Sequence, residues 1–197
     1  MEKVDQMEKW KTLERKTVFE ARPYLEVIRE RVAVSPELVI EDFYQVLLRP
    51  FVVCVPFLPD GTVLTMRQYK HGPRKVSLTF PGGFVDAGEL PSVACARELL
   101  EETGYCAEHW IWLGEFTDNG NQKGCVGNFF VALGCKQLQD PHSGDLEEME
   151  ILRSEPVQMD KALFDGSIVI THHAFAWLMA KEWLATEHLD AAARNEN

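Results

Sequence analysis

One segment constrains this chain more than any other: Gly83-Phe84-Val85-Asp86-Ala87-Gly88-Glu89, seven further residues, then Arg97-Glu98-Leu99-Leu100-Glu101-Glu102-Thr103-Gly104-Tyr105. A glycine turn leads into a helix. Pro91 suits its first turn, Ala94, Cys95 and Leu99 mark a face to be buried, and Gly104 suits a left-handed stop, so the spacing predicts a helix over 91–103. Positions i, i+3 and i+4 share a helix face, which puts Glu98, Glu101 and Glu102 on one stripe. Carboxylates that close repel unless a cation lies among them, and an all-oxygen donor set suits Mg2+ or Mn2+ rather than zinc. The natural ligand of such a site bears phosphate. Gly82 and Gly83 permit tight backbone geometry, and a carbonyl there can face the helix carboxylates. Arg97 can pair with Glu89 or Glu101 and hold the loop against the helix. Composition alone also allows a plainer reading, an acidic solvent-facing helix stitched by Arg–Glu pairs. The fixed order of Gly, Glu, Arg-Glu and Glu-Glu-x-Gly disfavours it.

Around this segment the pattern is mostly β. Residues 1–16 read as a charged N-terminal arm, 17–186 as a single domain and 187–197 as a polar tail. Strands are expected within 18–34, broken at Pro23, and over 39–48. A buried strand over 51–58 is followed by the hairpin signal Pro59-Asp60-Gly61-Thr62 and a return strand over 63–69. In that return strand Arg67 and Tyr69 share one face, and Met66 and Gln68 the other. Further strands are expected at 76–80, 110–116, 126–133 and 151–157. Helices are expected at 159–164 and 171–184, the last with Phe175, Leu178, Met179 and Leu184 packed inward. The class is α+β with a mixed sheet.

The 197 residues are nearly half apolar and carry a net charge of −11, which excludes a broad nucleic-acid surface but not a small phosphorylated ligand. No apolar run is long enough to span a membrane, and the first residues do not read as a secretory signal. Five widely spaced cysteines without a CxxC pair read as reduced thiols of a cytoplasmic compartment.

From Gly83 through Tyr105 the segment resembles the signature of the Nudix hydrolases at every constrained position. The wider chain is similar to the branch that includes ADP-ribose and nucleoside-diphosphate-sugar pyrophosphatases, through Arg67-Gln68-Tyr69, Phe80-Pro81-Gly82-Gly83 and an acidic loop well after the motif. The resemblance implies an α/β/α sandwich with a mixed central sheet. It implies Mg2+- or Mn2+-dependent hydrolysis of the pyrophosphate bond in a nucleoside diphosphate linked to another moiety, ADP-ribose or a nucleotide sugar. Glu98, Glu101 and Glu102, with the Gly82 carbonyl, would hold the ions, and Glu101 and Glu102 would also serve catalysis. Arg97, Glu89, Gly83 and Gly104 would support the site. The proton acceptor would come from the loop holding Asp145, Glu147, Glu148 and Glu150, with Glu147 or Glu148 favoured and Glu150 next. The branch also implies a homodimer built through the N-terminal strands.

Substrate selection is expected around Arg67, Arg74 and His71. Phe19, Tyr24, Phe43, Tyr44 and Trp112 are aromatic candidates for stacking on a base, although each residue type is more often core. Thr79 stands where the ADP-ribose branch often has Glu. Two rivals stay open: an enzyme acting on NTPs or on dinucleotides of the NADH or FAD type, and a non-catalytic nucleotide-binding regulator.

Overall fold

The computed structural model describes residues 9–144 and 148–195, with side chains described as far as 186. Chain contacts divide it into two compact units. One holds residues up to Arg49 with Thr117–Val126, and the other Pro50–Phe116 with the residues from Gly127 on. The sequence reading, with a single domain over 17–186, contains no such division.

The first unit is built on β1 (Lys11–Ala21), β2 (Leu25–Ala33) and β3 (Val39–Leu48), a consecutive antiparallel meander. Strand β1 takes in residues 11–16, which the sequence assigns to the arm. Pairs such as Lys11↔Ala33 and Lys16↔Arg29 draw them into the ladder, and Leu13 is the one apolar residue among 11–16 to signal it. The pairing satisfies the backbone, while nearly every β1 residue stays exposed.

In the second unit come β4 (Phe51–Pro56), β5 (Val63–Lys70), β6 (Lys75–Thr79), α1 (Pro91–Thr103) and the short β7 (Tyr105–Cys106). Strands β8 (His109–Asn119) and β9 (Lys123–Leu133) pair with each other, and their tips belong to the first unit, where Val46 and Leu47 of β3 pair parallel with Lys123 and Gly124. The chain continues through β10 (Lys136–Gln137), β11 (Met149–Ser154), α2 (Pro156–Ala162) and α3 (Thr171–Asn195). Strand β4 runs parallel to β9, from Phe51↔Gly127 to Pro56↔Ala132, while β5 lies antiparallel between β6 and β11.

Successive residues of a strand point to opposite faces, and β4 uses both. Val52 and Cys54 pack with Ala94, Cys95 and Leu99 of α1, joined by Phe130 and Ala132 of β9. Val53 and Val55 pack with Met159 and Ala162 of α2 and with Ala176, Trp177 and Ala180 of α3, joined by Phe129 and Val131. Two cores on opposite faces of one strand pair make the expected α/β/α layering with parallel and antiparallel pairing.

Three local expectations change. The turn after β4 forms, with Thr62 N–H and Oγ1 donating to Asp60 Oδ1 at 3.0 and 2.6 Å. Yet the ladder pairing expected between β4 and β5 is reduced to an isolated bridge, Phe57↔Val63, because each finds its partners in another strand. Leu178 is exposed, and the inward face of α3 is carried by Ala176, Trp177 and Ala180 instead. Helix α3 also runs on through the expected polar tail, where Ala191, Ala192 and Ala193 favour helix strongly.

Candidate active site

Helix α1 occupies the predicted residues. Gly104 closes it at φ 76°, its N–H donating to Leu100 O at 2.8 Å. A Cβ there would meet the Gln139 carbonyl at 2.1 Å, so only glycine lets the 139–140 segment lie against the helix end. His142 N–H then donates to Glu101 O at 2.7 Å, which brings the start of the acidic loop onto α1.

The segment after β6 runs along β4: Cys54 N–H donates to Pro81 O and Val52 N–H to Gly83 O, both at 2.9 Å. Between them the Gly82 N–H faces the helix and donates to Glu102 Oε2 at 2.8 Å. A Cβ on Gly82 would meet the Val52 carbonyl at 2.2 Å, and one on Gly83 would meet the Glu98 carboxylate at 2.4 Å. Close approach of the β4 backbone therefore requires glycine at 82, whereas at 83 a Cβ would displace the Glu98 carboxylate. Glu102 is buried, and Glu98 lies directly over Gly83.

Arg97 ties the site together. Its Nε and Nη2 donate to the two oxygens of Glu89 at 3.0 and 3.1 Å. Nη1 donates to Glu98 Oε1 at 2.8 Å and Glu101 Oε2 at 3.0 Å, and Nη2 also reaches Phe84 O at 3.1 Å. Glu89 in turn accepts from Asp86 N–H at 3.1 Å, and the Arg97 guanidinium first, then this amide, hold its carboxyl below the usual range. Arg97 is itself held more firmly protonated, chiefly by Glu89. Beneath the helix, burial and the neighbouring Cys95 thiol push the Cys54 thiol well up, with Glu102 and Glu98 adding to it.

Among the described residues no three His, Cys, Asp or Glu side chains converge into a ready ion cage. Arg97 stands between Glu98 and Glu101, and Glu102 is turned to Gly82. The donor chemistry still fits a hard cation. Glu98 occupies the space a Cβ on Gly83 would take, Glu102 is anchored on the next residue, and every donor is oxygen.

Of the expected substrate-reading residues, Arg67 lies on the outward face of the β6–β5–β11 sheet. Arg67, Gln68, Tyr69 and Val76 line an open cleft of about 560 Å3 with Glu148, Met149 and Glu150. Arg67 and Glu150 are register partners across β5 and β11 and form an ion pair. Glu150 is therefore engaged, whereas Glu148 lies at the cleft without a place in a strand. Glu147, also expected as a base, and Asp145 lie outside the described residues. His71 and Arg74 sit in the β5–β6 turn. Tyr69 Oη approaches His71 Nδ1 at 3.5 Å, and Arg74 closes the turn at φ 55° with its N–H on His71 O. Neither lines the cleft with Arg67. Thr79 is buried on the opposite face and accepts from Gln68 Nε2 at 2.8 Å. The departure from Glu at that position therefore concerns an inward residue.

Of the aromatic candidates, Phe19, Tyr24, Tyr44 and Trp112 are exposed rather than core, and Phe43 meets Trp10 edge-on. Sequence reasoning missed His173. Its Nδ1 accepts the Phe80 N–H at 3.1 Å, which pins the approach to Pro81-Gly82-Gly83 onto α3. Its only sequence signal is the His172-His173 pair one residue into the last predicted helix.

Known proteins resemble this chain in sequence and in fold. An ADP-ribose pyrophosphatase of Bacillus subtilis is 23% identical over 150 residues, covering 73% of this chain and 80% of that one. An ADP compounds hydrolase, NudE, of Escherichia coli is 30% identical over 139 residues, covering 69% and 72%. A crystal structure of an ADP compounds hydrolase superposes with a TM-score of 0.77 at 23% identity, covering 92% of this chain and 97% of that one. The NUDIX domain model matches residues 47–170, which hold the whole cradle of glycines, carboxylates and Arg97, and the chain belongs to the NUDIX family.

Proposed function

We propose that this protein hydrolyses the diphosphate of an ADP compound, ADP-ribose or an ADP-linked sugar, to AMP and a phosphorylated second product. The observation that carries the reading is the clasp of Arg97 on Glu89, Glu98, Glu101 and the Phe84 carbonyl, which holds an acidic face over Gly82-Gly83. The names of the relatives supply the substrate class.

Glu98, Glu101, Glu102 and the Gly82 carbonyl would hold divalent ions, Mg2+ or Mn2+. Bound there, such ions would supply charge neutralisation to the diphosphate oxygens and to the charge that builds as the P–O bond breaks. Arg97 keeps Glu98 and Glu101 in place while the ligand comes and goes. Glu102 is anchored on the Gly82 N–H through Oε2. The proton of the attacking water passes to a glutamate before β11, Glu147 or Glu148, ahead of Glu150, which is paired with Arg67 in this structure. The water oxygen adds to one phosphorus, the bridging oxygen leaves with the other, and the leaving group takes up a proton. A general base within reach of that water contributes on the order of 10²- to 10⁴-fold.

Among the described residues no helix is long and apolar enough to cross a membrane, and the five cysteines are free thiols. They support a cytoplasmic protein. The exposed strand β1, with Val18 and Phe19 on it and Trp10 and Tyr24 beside it, supports a homodimer formed through the N-terminal strands.

The deciding experiment is a screen of ADP-ribose, ADP-glucose, GDP-mannose, NADH, FAD and 8-oxo-dGTP with Mg2+ and with Mn2+, with products resolved. AMP plus a sugar phosphate from the ADP compounds is the expected result. Pyrophosphate released from the nucleoside triphosphate alone identifies an NTP-cleaving enzyme. No hydrolysis of any compound identifies a nucleotide-binding protein.

A further inference from the structure

Trp112 combines two properties: the residue is 61% exposed, and its indole N–H is engaged by a buried side chain. The indole Nε1–H donates to Asn128 Oδ1 at 3.2 Å, and Asn128 Nδ2–H donates to Glu115 Oε2 at 3.3 Å. Asn128 is buried, so the hub of this chain is held by the sheet itself. An exposed indole usually keeps its rotamer freedom. Here that freedom is given up without burying the ring, and a ligand that covers the ring need not supply the ordering.

The position of the ring follows from strand alternation. Phe130 and Ala132 of β9 pack in the core that holds α1, and Asn128 shares their parity. On β8, Trp110 packs against the same core while Ile111 and Leu113 pack against the opposite one. Trp112 therefore stands on the α1 side of the sheet. Along the sheet, Asn128 is the register partner of Val52, and Val52 N–H donates to Gly83 O. At ~4.8 Å per strand spacing, the ring lies roughly 10–15 Å from the Gly83 cradle. A nucleoside held by its diphosphate at the cradle has that reach.

We propose that Trp112 is the stacking platform for the nucleobase of the substrate, locked in place by Asn128 and Glu115. The proposal rests on the diphosphate reading above. A flat, apolar face with its one polar edge already bonded reads a base by its π surface, so it selects for a purine by area and not by hydrogen bonds. Stacking of a base on an aromatic side chain is worth ~1–3 kcal/mol, so its loss weakens binding by about 5- to 150-fold.

The test compares the full chain with Trp112→Leu and Trp112→Phe, by steady-state kinetics on ADP-ribose and by equilibrium binding of AMP and of ribose 5-phosphate. Trp112→Leu is expected to raise KM about tenfold or more with kcat kept, because the base contacts are the same in ground and transition states. AMP binding should weaken in step, ribose 5-phosphate binding should not change, and Trp112→Phe should recover most of the loss. Wild-type KM and AMP affinity in Trp112→Leu overturns the proposal. So does an equal loss for AMP and ribose 5-phosphate, which marks a structural role. Should Trp112→Leu fail to fold, AMP quenching of indole fluorescence decides instead: quenching in the wild type that Trp112→Phe removes supports the platform, and quenching that persists refutes it. A wild type that binds AMP through Trp112 but cleaves no ADP compound overturns the diphosphate reading and leaves the platform standing.

Discussion

The Arg97 cradle and the outward cleft at Arg67 both set an arginine against glutamates, and they are built in opposite ways. Arg97 is mostly covered and donates to three carboxylates and one carbonyl, on a helix whose neighbours leave no room for a Cβ at Gly82 or Gly83. Arg67 and its partner Glu150 each expose more than half of their side chains and face each other across two strands. The first arrangement fixes atoms to within a fraction of an ångström, as hydrolytic chemistry requires. The second can be broken by an arriving ligand at little cost, as recognition requires. On the proposed function, chemistry would lie where side chains are held, and selectivity where they can move.

The comparison breaks first at Glu102. Glu102→Gln keeps an oxygen for the Gly82 N–H but loses the charge, so metal-dependent turnover should fall by about 10²- to 10³-fold with the melting temperature nearly kept. Unchanged turnover in this variant removes Glu102 from the metal site. Gly82→Ala attacks the same place through the backbone. With the Val52 carbonyl 2.2 Å from the new Cβ, no rotamer relieves the clash, and a loss of ~1–3 kcal/mol or more should show in denaturant unfolding. Gly83→Ala meets only the end of the Glu98 side chain, so it should lower activity with a much smaller change in stability. Equal destabilisation by both alanines contradicts the cradle geometry.

These effects were legible in the sequence to the extent that they are local. The stripe of Glu98, Glu101 and Glu102, the stop at Gly104 and the pairing of Arg97 with Glu89 and Glu101 all follow from spacing within some twenty residues, whereas its bonds to Glu98 and the Phe84 carbonyl were not anticipated. The alternation of Arg67 and Tyr69 against Met66 and Gln68 was equally readable. Nonlocal partners were not. Nothing in residues 51–69 says that β4 pairs with β9 and β5 with β11, so a hairpin signal suggested a strand pair that only touches at its base. The β1 ladder is invisible for the same reason, since charged residues pair through their backbones. His173 lies 93 residues from its partner Phe80. Trp112 could be named as an aromatic, but its exposure and its lock depend on β9 lying beside β8.

His173 gives a pH test of the cradle's support. Its Nδ1 accepts the Phe80 amide and so must be unprotonated, and burial first, then His172 and Lys70, holds its pKa well below the usual 6.5. The unfolded chain therefore binds a proton near pH 6.5 that the folded chain refuses. Stability from this group is complete above that pH and declines as pH falls toward the folded value, by at most ~1.4 kcal/mol per pH unit. His173→Asn keeps an acceptor near the Nδ1 position and has no proton to bind. Its denaturant midpoint should fall less steeply between pH 6.5 and 5 than that of the wild type. Identical slopes in the two proteins refute the buried neutral imidazole.

The smallest effect belongs to the outward cleft. Exposed ion pairs contribute ~0.2–1 kcal/mol even with good geometry, because solvent and salt screen them and two long side chains must be ordered. A double-mutant cycle of Arg67→Ala and Glu150→Ala, followed by denaturant unfolding, should give a coupling of about 1 kcal/mol or less that shrinks in high salt. The same variants separate structure from recognition. If Arg67 leaves Glu150 to meet a substrate, Arg67→Ala raises KM for the ADP compound while Glu150→Ala, which frees the guanidinium, does not. A coupling well above 1 kcal/mol, with KM untouched by either change, would instead make the pair a structural clasp like Arg97, and the contrast between the two sites would fail on this side.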